Sequence, residues 1–273
     1  MRPVRASIDD LTLALRLADV ADEITLGRFR ADDLVVETKP DLTPVTEADR
    51  AVEQAMRREL ALSAPGDDVF GEEYGGTDVD PAHPPAHPPA RRWIVDPIDG
   101  TKSYVRGVPV WATLLALEQD HRITVGVVSA PALGRRWWAA RGHGAFAVDG
   151  LAAEPRRLQV SAIGDLSDAQ LCFGGMEEWR KAGRLDALLE LSSRCWRTRG
   201  YGDFWSYMLV AEGAVEIGLD PEVSLWDLAA PMVIVQEAGG RFTDLSGAET
   251  AGGGSGVASN GVLHEVARAI VGR

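Results

Sequence analysis

The stretch Arg92-Trp93-Ile94-Val95-Asp96-Pro97-Ile98-Asp99-Gly100-Thr101-Lys102-Ser103-Tyr104 constrains this chain more than any other. An apolar run ends in two carboxylates, then in a glycine and a hydroxyl. Trp93, Ile94 and Val95 read as a buried strand. Pro97 gives no ladder hydrogen bond and biases Asp96 towards an extended backbone. The strand is therefore expected to stop at Asp96, with the chain turning through Pro97 to Gly100. Two acids where a buried strand meets a loop are costly unless a cation neutralises them, and oxygen ligands suit a hard divalent ion such as Mg²⁺. A turn with two solvated aspartates accounts for the same residues, so the rest of the chain has to decide.

At 273 residues the chain can hold one large domain or two lobes sharing an interface. Its 45% apolar and 25% charged content is that of an ordinary soluble globular protein. A formal charge of −13 argues against nucleic acid or an anionic membrane as partner. It also means that an anionic substrate must be drawn in locally, by a metal or by aimed backbone amides. No apolar run reaches the roughly 18 residues of a membrane span, and the segment from Met1 to Ser7 leads into acids rather than an apolar core, so no signal peptide is expected. Cys172 and Cys195 fit no zinc or redox spacing. Both read as core thiols, and a reducing cytoplasm is the expected location.

Helical spacing of Ile8, Leu11, Leu15, Ala18, Ala21 and Leu26 predicts an amphipathic helix over 8–29. A proline-punctuated loop, 38–45, leads to a second helix from Thr46 to about Leu62, where Thr46 and Asp49 fit a capping box. A short strand over 69–71 runs into Glu72-Glu73. The tandem Ala-His-Pro-Pro within 81–90 reads as an exposed spacer without chemistry. Strands are expected over 110–117, 123–129, 136–140 and 145–148, with Trp137 and Trp138 on opposite faces. The polar connector 151–157 is the candidate boundary between an N-terminal α+β lobe, 1–150, and a C-terminal α/β lobe, 151–273, within one compact unit. Beyond it the expected order is a strand at 171–173, a helix over 177–192, a strand at 195–197, a helix over 203–212, a strand at 214–218, a helix over 226–237, strands at 241–243 and 257–259, and a last helix capped by Asn260. The glycine-rich run 252–256 lacks the context of a nucleotide-binding loop.

Three acidic clusters stand at element ends: Glu72-Glu73, Asp96 with Asp99, and Asp227 after Trp226. A shared metal centre is the simplest common purpose, because one Mg²⁺ needs only one or two carboxylates plus waters and phosphate oxygens. Four carboxylates suffice for two ions about 4 Å apart, a clamp for in-line displacement. Gly100 and Thr101 add amides at a turn, the kind of nest that cradles phosphate. An EF-hand loop starting at Asp96 fails, since its acid positions hold Ile98 and Gly107. The D-x-D-x-T of aspartyl-nucleophile phosphatases is off by one residue, because its acids stand at i and i+2.

Together, Gly71-Glu72-Glu73, Trp93 to Thr101, and Trp226-Asp227-Leu228-Ala229-Ala230 resemble the inositol monophosphatase family in order and approximate spacing, over almost the whole chain. The sequence Asp99-Gly100-Thr101-Lys102-Ser103-Tyr104 departs from the usual D-G-T-T-N-F. With 105–114 and Tyr201-Gly202-Asp203-Phe204, it is most similar to the bacterial histidinol-phosphatase branch. The resemblance implies an αβαβα layered α/β sandwich of the inositol monophosphatase and fructose-bisphosphatase superfamily, two or three Mg²⁺ ions, and a homodimer. It implies hydrolysis of a small phosphorylated metabolite, histidinol phosphate first, in histidine biosynthesis, with an inositol, sugar or nucleotide-derived monophosphate as the alternative. A non-catalytic metal- or phosphate-binding homologue is disfavoured, since every matched position keeps a competent residue. Glu72, Asp96, Asp99 and Asp227 would be metal ligands, joined by the Ile98 carbonyl, with Glu73 beside them. Thr101 and Asp49 would orient and deprotonate the attacking water, and the Gly100 and Thr101 amides would hold the phosphate. Lys39 falls at a family position near the metal loop. Tyr201, Asp203 and Asp220 would contact the substrate, within an aromatic supply of Tyr104, Trp111, Tyr201, Phe204 and Trp205.

Overall fold

The computed structural model describes residues 7–40, 42–76, 90–150 and 153–272. The tandem Ala-His-Pro-Pro falls outside the described residues. The chain opens with α1 (Ile8–Arg28), then β1 (Val36–Thr38) and β2 (Pro44–Thr46), an antiparallel pair flanking the proline-punctuated loop, then α2 (Glu47–Ser63). The first large sheet is built from β3 (Asp68–Gly71), β4 (Gly75–Gly76), β5 (Arg91–Asp99), β6 (Ala112–Gln119), β7 (Arg122–Ala130), β8 (Arg135–Ala140), β9 (Gly144–Asp149) and β10 (Arg156–Arg157). The short helix α3 (Thr101–Val105) lies between β5 and β6. After β10 come β11 (Gln170–Phe173), α4 (Met176–Lys181), α5 (Leu185–Arg194), β12 (Arg197–Arg199), α6 (Asp203–Ala211), β13 (Ile217–Asp220), α7 (Leu225–Glu237), β14 (Arg241–Thr243), β15 (Gly256–Ser259) and α8 (His264–Val271).

The first sheet runs β10-β9-β8-β7-β6-β5-β3-β4 and the second β12-β11-β13-β15-β14. Strand periodicity sorts their side chains into layers. Trp93, Val95, Leu115, Leu117, Val125 and Val127 pack under Ala14, Leu17, Val52 and Met56 of α1 and α2. Ile94, Leu114, Ala116 and Val128 face the other way, onto Phe204, Met208, Leu228, Ala229 and Val233 of α6 and α7, whose far side meets Cys172, Phe242 and Ala258 of the second sheet. The outer face of that sheet, Leu171, Ile217, Leu219 and Val257, is covered by Trp179, Leu188, Leu191, Ala267 and Ile270. The result is the expected α/β/α/β/α sandwich. The central helix α7 lies close to the first sheet because β7 carries Gly126 there. A Cβ at that position would meet Val233 Cγ1 at 2.6 Å and the Ala230 carbonyl at 2.7 Å.

Several boundaries differ from expectation, each for a local reason. β5 continues through Pro97 to Asp99, because a bulge between Asp96 and Asp99 makes room for a residue without an N–H. The single helix expected over 177–192 is two, α4 and α5, separated at Gly183 in a left-handed conformation (φ 70°). In α1 the buried face is Ala14, Leu17, Ala18, Ala21 and Thr25, whereas Ile8 and Leu26 are exposed. Asn260 does not cap α8, whose N-cap is Leu263; its side chain accepts the Leu263 N–H at 3.1 Å instead. Trp137 is buried and Trp138 half-buried, on opposite faces as their parity requires.

The first residue of α8, His264, is buried, its ring nitrogens 2.9 Å from Thr243 Oγ1 and Ser259 Oγ. Burial, reinforced by the Arg241 charge, pushes its pKa down to about 4. The fold thus holds the neutral ring, while the unfolded chain takes up a proton near pH 6.5. Stability from this group is complete above pH 6.5 and lost as pH falls towards 4. Measured against His264→Gln by urea unfolding, the wild-type advantage should shrink by about 3 kcal/mol across that window. A pH-independent difference would refute this.

Candidate active site

The bulge in β5 is what assembles the carboxylates. Asp96 pairs with Leu114 and Asp99 with Ala112, so β5 advances three residues against two on β6. On a regular strand residues three apart point to opposite faces; the extra residue turns Asp99 to the side of Asp96. There they meet Asp227, at the third position of α7. Its Oδ2 accepts the Ser224 N–H at 2.7 Å in a capping box. Ligand oxygens of Asp96, Asp99 and Asp227 all lie within 4.8 Å of one another. Asp99 Oδ2 accepts the Phe204 N–H at 2.6 Å, while Asp96 Oδ1 is buried without a hydrogen-bond partner.

Electrostatics mark this as a place for a cation. Burial and then the charges of Glu72, Asp99 and Asp227 push the Asp96 carboxyl well above its usual range. Burial, Asp203 and Asp227 do the same to Asp99, and burial raises Asp227 to about 6. An all-oxygen set with an unpaired buried oxygen and mutual repulsion fits a hard divalent ion. Glu72, at the end of β3, lines the same cavity, with its N–H on the Val95 carbonyl at 3.1 Å. Lys39 Nζ bridges Glu72 Oε1 at 2.9 Å and Glu73 Oε1 at 2.6 Å. Burial disfavours the lysine charge, but these two bonds more than offset it and leave the pKa raised.

The remaining expected residues fall into two groups. Ile98, Gly100 and Thr101 line the cavity. Gly100 adopts φ 82°, and a Cβ there would come 3.1 Å from the Val110 carbonyl and 3.3 Å from Asp203 Oδ2. Thr101 Oγ1 donates to the Ile98 carbonyl at 2.9 Å. Asp49 and Glu73 are not in the lining. Asp49 is buried; its Oδ2 accepts the Thr46 N–H at 2.8 Å and the Thr46 hydroxyl at 2.6 Å, while Oδ1 has no partner. Burial raises its pKa to about 7 against these bonds.

The cavity has a volume of about 550 Å³ and extends from the metal-type carboxylates towards β13 and α4. Parity on β13 turns Gly218 and Asp220 to the α6 side, where Asp220 Oδ2 accepts the Tyr207 hydroxyl at 2.6 Å. Burial raises Asp220 to about 8 and Asp203 to about 6, with the Glu178 charge adding to both. Glu178 and Glu222 complete this end, and Lys102 is the one cation among the described lining residues. Glu178 carried no sequence signal: it is one of two adjacent acids on α4, and only the packing of α4 beside β13 aims it here. Of the aromatic residues expected there, Tyr201 and Phe204 are at the cavity, Phe204 with its ring buried in the core, and Tyr207 and Trp226 join the lining. Trp205 packs on Tyr201 with ring centroids 5.2 Å apart. Tyr104 and Trp111 are buried with Phe29, Ala48 and Ile98 instead, the Tyr104 hydroxyl donating to the Thr25 carbonyl at 2.7 Å.

The sequence matches the inositol monophosphatase family over residues 9–272. The chain belongs to that family. A histidinol-phosphatase of Mycobacterium tuberculosis is 57% identical over 260 residues, 95% of this chain and 96% of the relative. A histidinol-phosphatase of Streptomyces coelicolor is 53% identical, covering 94% and 95%. The solved inositol monophosphatase of Thermotoga maritima superposes with a TM-score of 0.81 at 29% identity, covering 97% of each chain. The protein is thus a phosphoric monoester hydrolase of the inositol monophosphatase family, a generally metal-dependent group acting on small phosphorylated substrates. No helix among the described residues is long and apolar enough to cross a membrane.

Repulsion within the carboxylate group is directly measurable. Asp96→Asn replaces a buried carboxyl whose ionisation burial and its neighbours disfavour, so the metal-free protein should be at least as stable as the wild type, with the advantage growing as pH rises. The stabilisation produced by added Mg²⁺ should shrink at the same time. Thermal melts with and without Mg²⁺ check both; an unchanged Mg²⁺ response would remove Asp96 from the ion site.

Proposed function

We propose that the protein is a Mg²⁺-dependent histidinol-phosphate phosphatase, releasing histidinol and inorganic phosphate for histidine biosynthesis. The observation that carries the substrate choice is full-length similarity to two histidinol-phosphatases, joined to a cavity whose far end is acidic. Histidinol phosphate presents a phosphate, a cationic amine and an imidazole. Asp220, Asp203 and Glu178 suit the amine, and the half-buried Tyr201 ring, packed on Trp205, suits the imidazole. A neutral polyol offers those carboxylates hydrogen bonds but no charge.

Glu72, Asp96, Asp99 and Asp227 would hold two or three Mg²⁺ ions, with the Ile98 carbonyl as a further ligand and Glu73 beside them. When bound, the metal makes water more acidic and neutralises charge on the phosphoryl oxygens. Thr101, in the cavity lining, would orient the attacking water, and Asp49, behind that lining and with its raised pKa, would take the proton by relay through the Thr101 hydroxyl. For Thr101 to do so, its hydroxyl gives up its bond to the Ile98 carbonyl, donates to Asp49 and accepts from the water. The Gly100 and Thr101 amides are assigned to the phosphate. The water oxygen forms a bond to phosphorus as the ester P–O bond breaks; the departing alkoxide takes a proton from solvent water to become the alcohol, and Asp49 returns its proton to solvent. No phosphoenzyme forms. The reading extends to a cytoplasmic homodimer and to a division of labour between 1–150, carrying most ligands, and 151–273, supplying Asp227 and the substrate contacts.

A panel of phosphomonoesters with released phosphate measured tests the assignment. We expect kcat/KM for histidinol phosphate to exceed that for myo-inositol 1-phosphate by about 100-fold or more, and EDTA to abolish both activities. Comparable rates on the two would overturn the substrate, and EDTA-resistant turnover the metal. Glu178→Gln should raise KM for histidinol phosphate about 5–10-fold with kcat little changed. An unaltered KM would take Glu178 out of substrate binding.

A further inference from the structure

Glu53 lies on α2, outside every motif the sequence suggested, and its side chain is fully buried. Its carboxylate is heavily engaged. Oε2 accepts the Glu73 N–H at 2.8 Å, and Oε1 accepts the Tyr74 N–H at 3.3 Å together with Arg57 Nε at 2.9 Å and Nη2 at 2.7 Å. Arg57 in turn donates to the Val69 carbonyl at 3.3 Å on β3 and to the Gly75 carbonyl on β4. The pair therefore grips both sides of the 72–74 turn and two of the amides within it. Gly71 completes the fit: a Cβ there would stand 2.1 Å from Glu53 Cδ and Oε1, so the carboxylate occupies the space a side chain would take.

The residue between Gly71 and Glu73 is Glu72. Its own N–H is tied to the Val95 carbonyl at 3.1 Å on β5, and its carboxylate lines the cavity beside Asp96 and Asp99. We infer that Glu53, with Arg57 and the missing side chain of Gly71, is a positioning residue that fixes the turn carrying Glu72 and so sets the metal affinity of the site. The inference rests on the proposal that Glu72 is a metal ligand. Its physical basis is that a single-residue connection between two anchored amides leaves the Glu72 backbone little freedom, so its carboxylate is presented without an ordering cost when the ion arrives. Beyond its pair with Arg57, the carboxylate reaches the turn itself. Here two of its four bonds go to the turn.

The test is direct binding of Mn²⁺ to the metal-free full-length protein, counted by the EPR signal of the free ion, alongside thermal melts. Glu53→Gln keeps the size but loses charge and an acceptor, and should weaken Mn²⁺ binding about tenfold. Gly71→Ala, which pushes the same carboxylate aside from the other direction, should weaken it similarly and keeps the test informative if Glu53→Gln does not fold. Glu53→Asp, too short to reach both amides, should fail to restore affinity although it keeps the charge. Unchanged Mn²⁺ affinity in folded Glu53→Gln or Gly71→Ala, with only a lowered melting temperature, would overturn the inference and leave Glu53 a stability residue. Glu72→Gln is the control. If it binds Mn²⁺ as the wild type does, the ligand assignment of Glu72 fails; if it binds weakly while the Glu53 and Gly71 variants bind normally, only the positioning role fails.

Discussion

Asp96, Asp99 and Asp227 are held within 4.8 Å of one another where the end of β5 meets the start of α7. At an effective dielectric near 20, each pair of unit charges at that separation repels by about 3 kcal/mol. Folding has to impose this arrangement against its own electrostatics. The restraints doing so come from different layers. The β5 bulge turns Asp99, the Phe204 N–H at the start of α6 fixes it, and Gly126 lets α7 settle onto the sheet so that Asp227 arrives beside the pair. Burial first, and then that imposed repulsion, raise the carboxyl pKa values, and a divalent cation relieves both. In this sense the layered sandwich is a device for holding like charges together until a cation and an anionic phosphate join them.

The sequence disclosed the parts of this arrangement that are written locally. Element order follows from where the apolar period changes, layer order was implied by the family resemblance, and the acids could be grouped because each stands at an element end. What it hid depends on register. Pro97 gives no ladder hydrogen bond, which is why the strand was expected to stop where it in fact bulges; proline fits either outcome, and only the bulge brings residues three apart to one face. Glu53 and Glu178 look like ordinary helix-surface acids, and only tertiary packing buries the first under Gly71 and turns the second towards Asp220. The aromatic residues divide for the same reason. Tyr104 and Trp111 follow the metal loop in sequence but close over it from behind, with ring centroids 4.9 Å apart.

Asp49 and Asp227 show why helix capping and chemistry were so hard to separate by sequence. Both stand at the third position of a helix whose N-cap is Thr or Ser, and in both the N-cap N–H binds Oδ2, at 2.8 Å from Thr46 and 2.7 Å from Ser224. Capping uses one carboxylate oxygen and leaves the other. In Asp227 the side chain also lies in the carboxylate group with Asp96 and Asp99; in Asp49 the second oxygen is buried and unpartnered. A cap and a functional carboxylate are therefore not competing explanations for the same residue. The cap removes the rotamer freedom that a bare aspartate would keep and aligns the helix N-terminus with the negative charge, so the remaining oxygen is aimed before any ligand arrives. On the positioning role proposed for it, Glu53 would achieve a similar end for Glu72 by gripping backbone instead of side chain, as a carboxylate on a turn, with no helix of its own, requires.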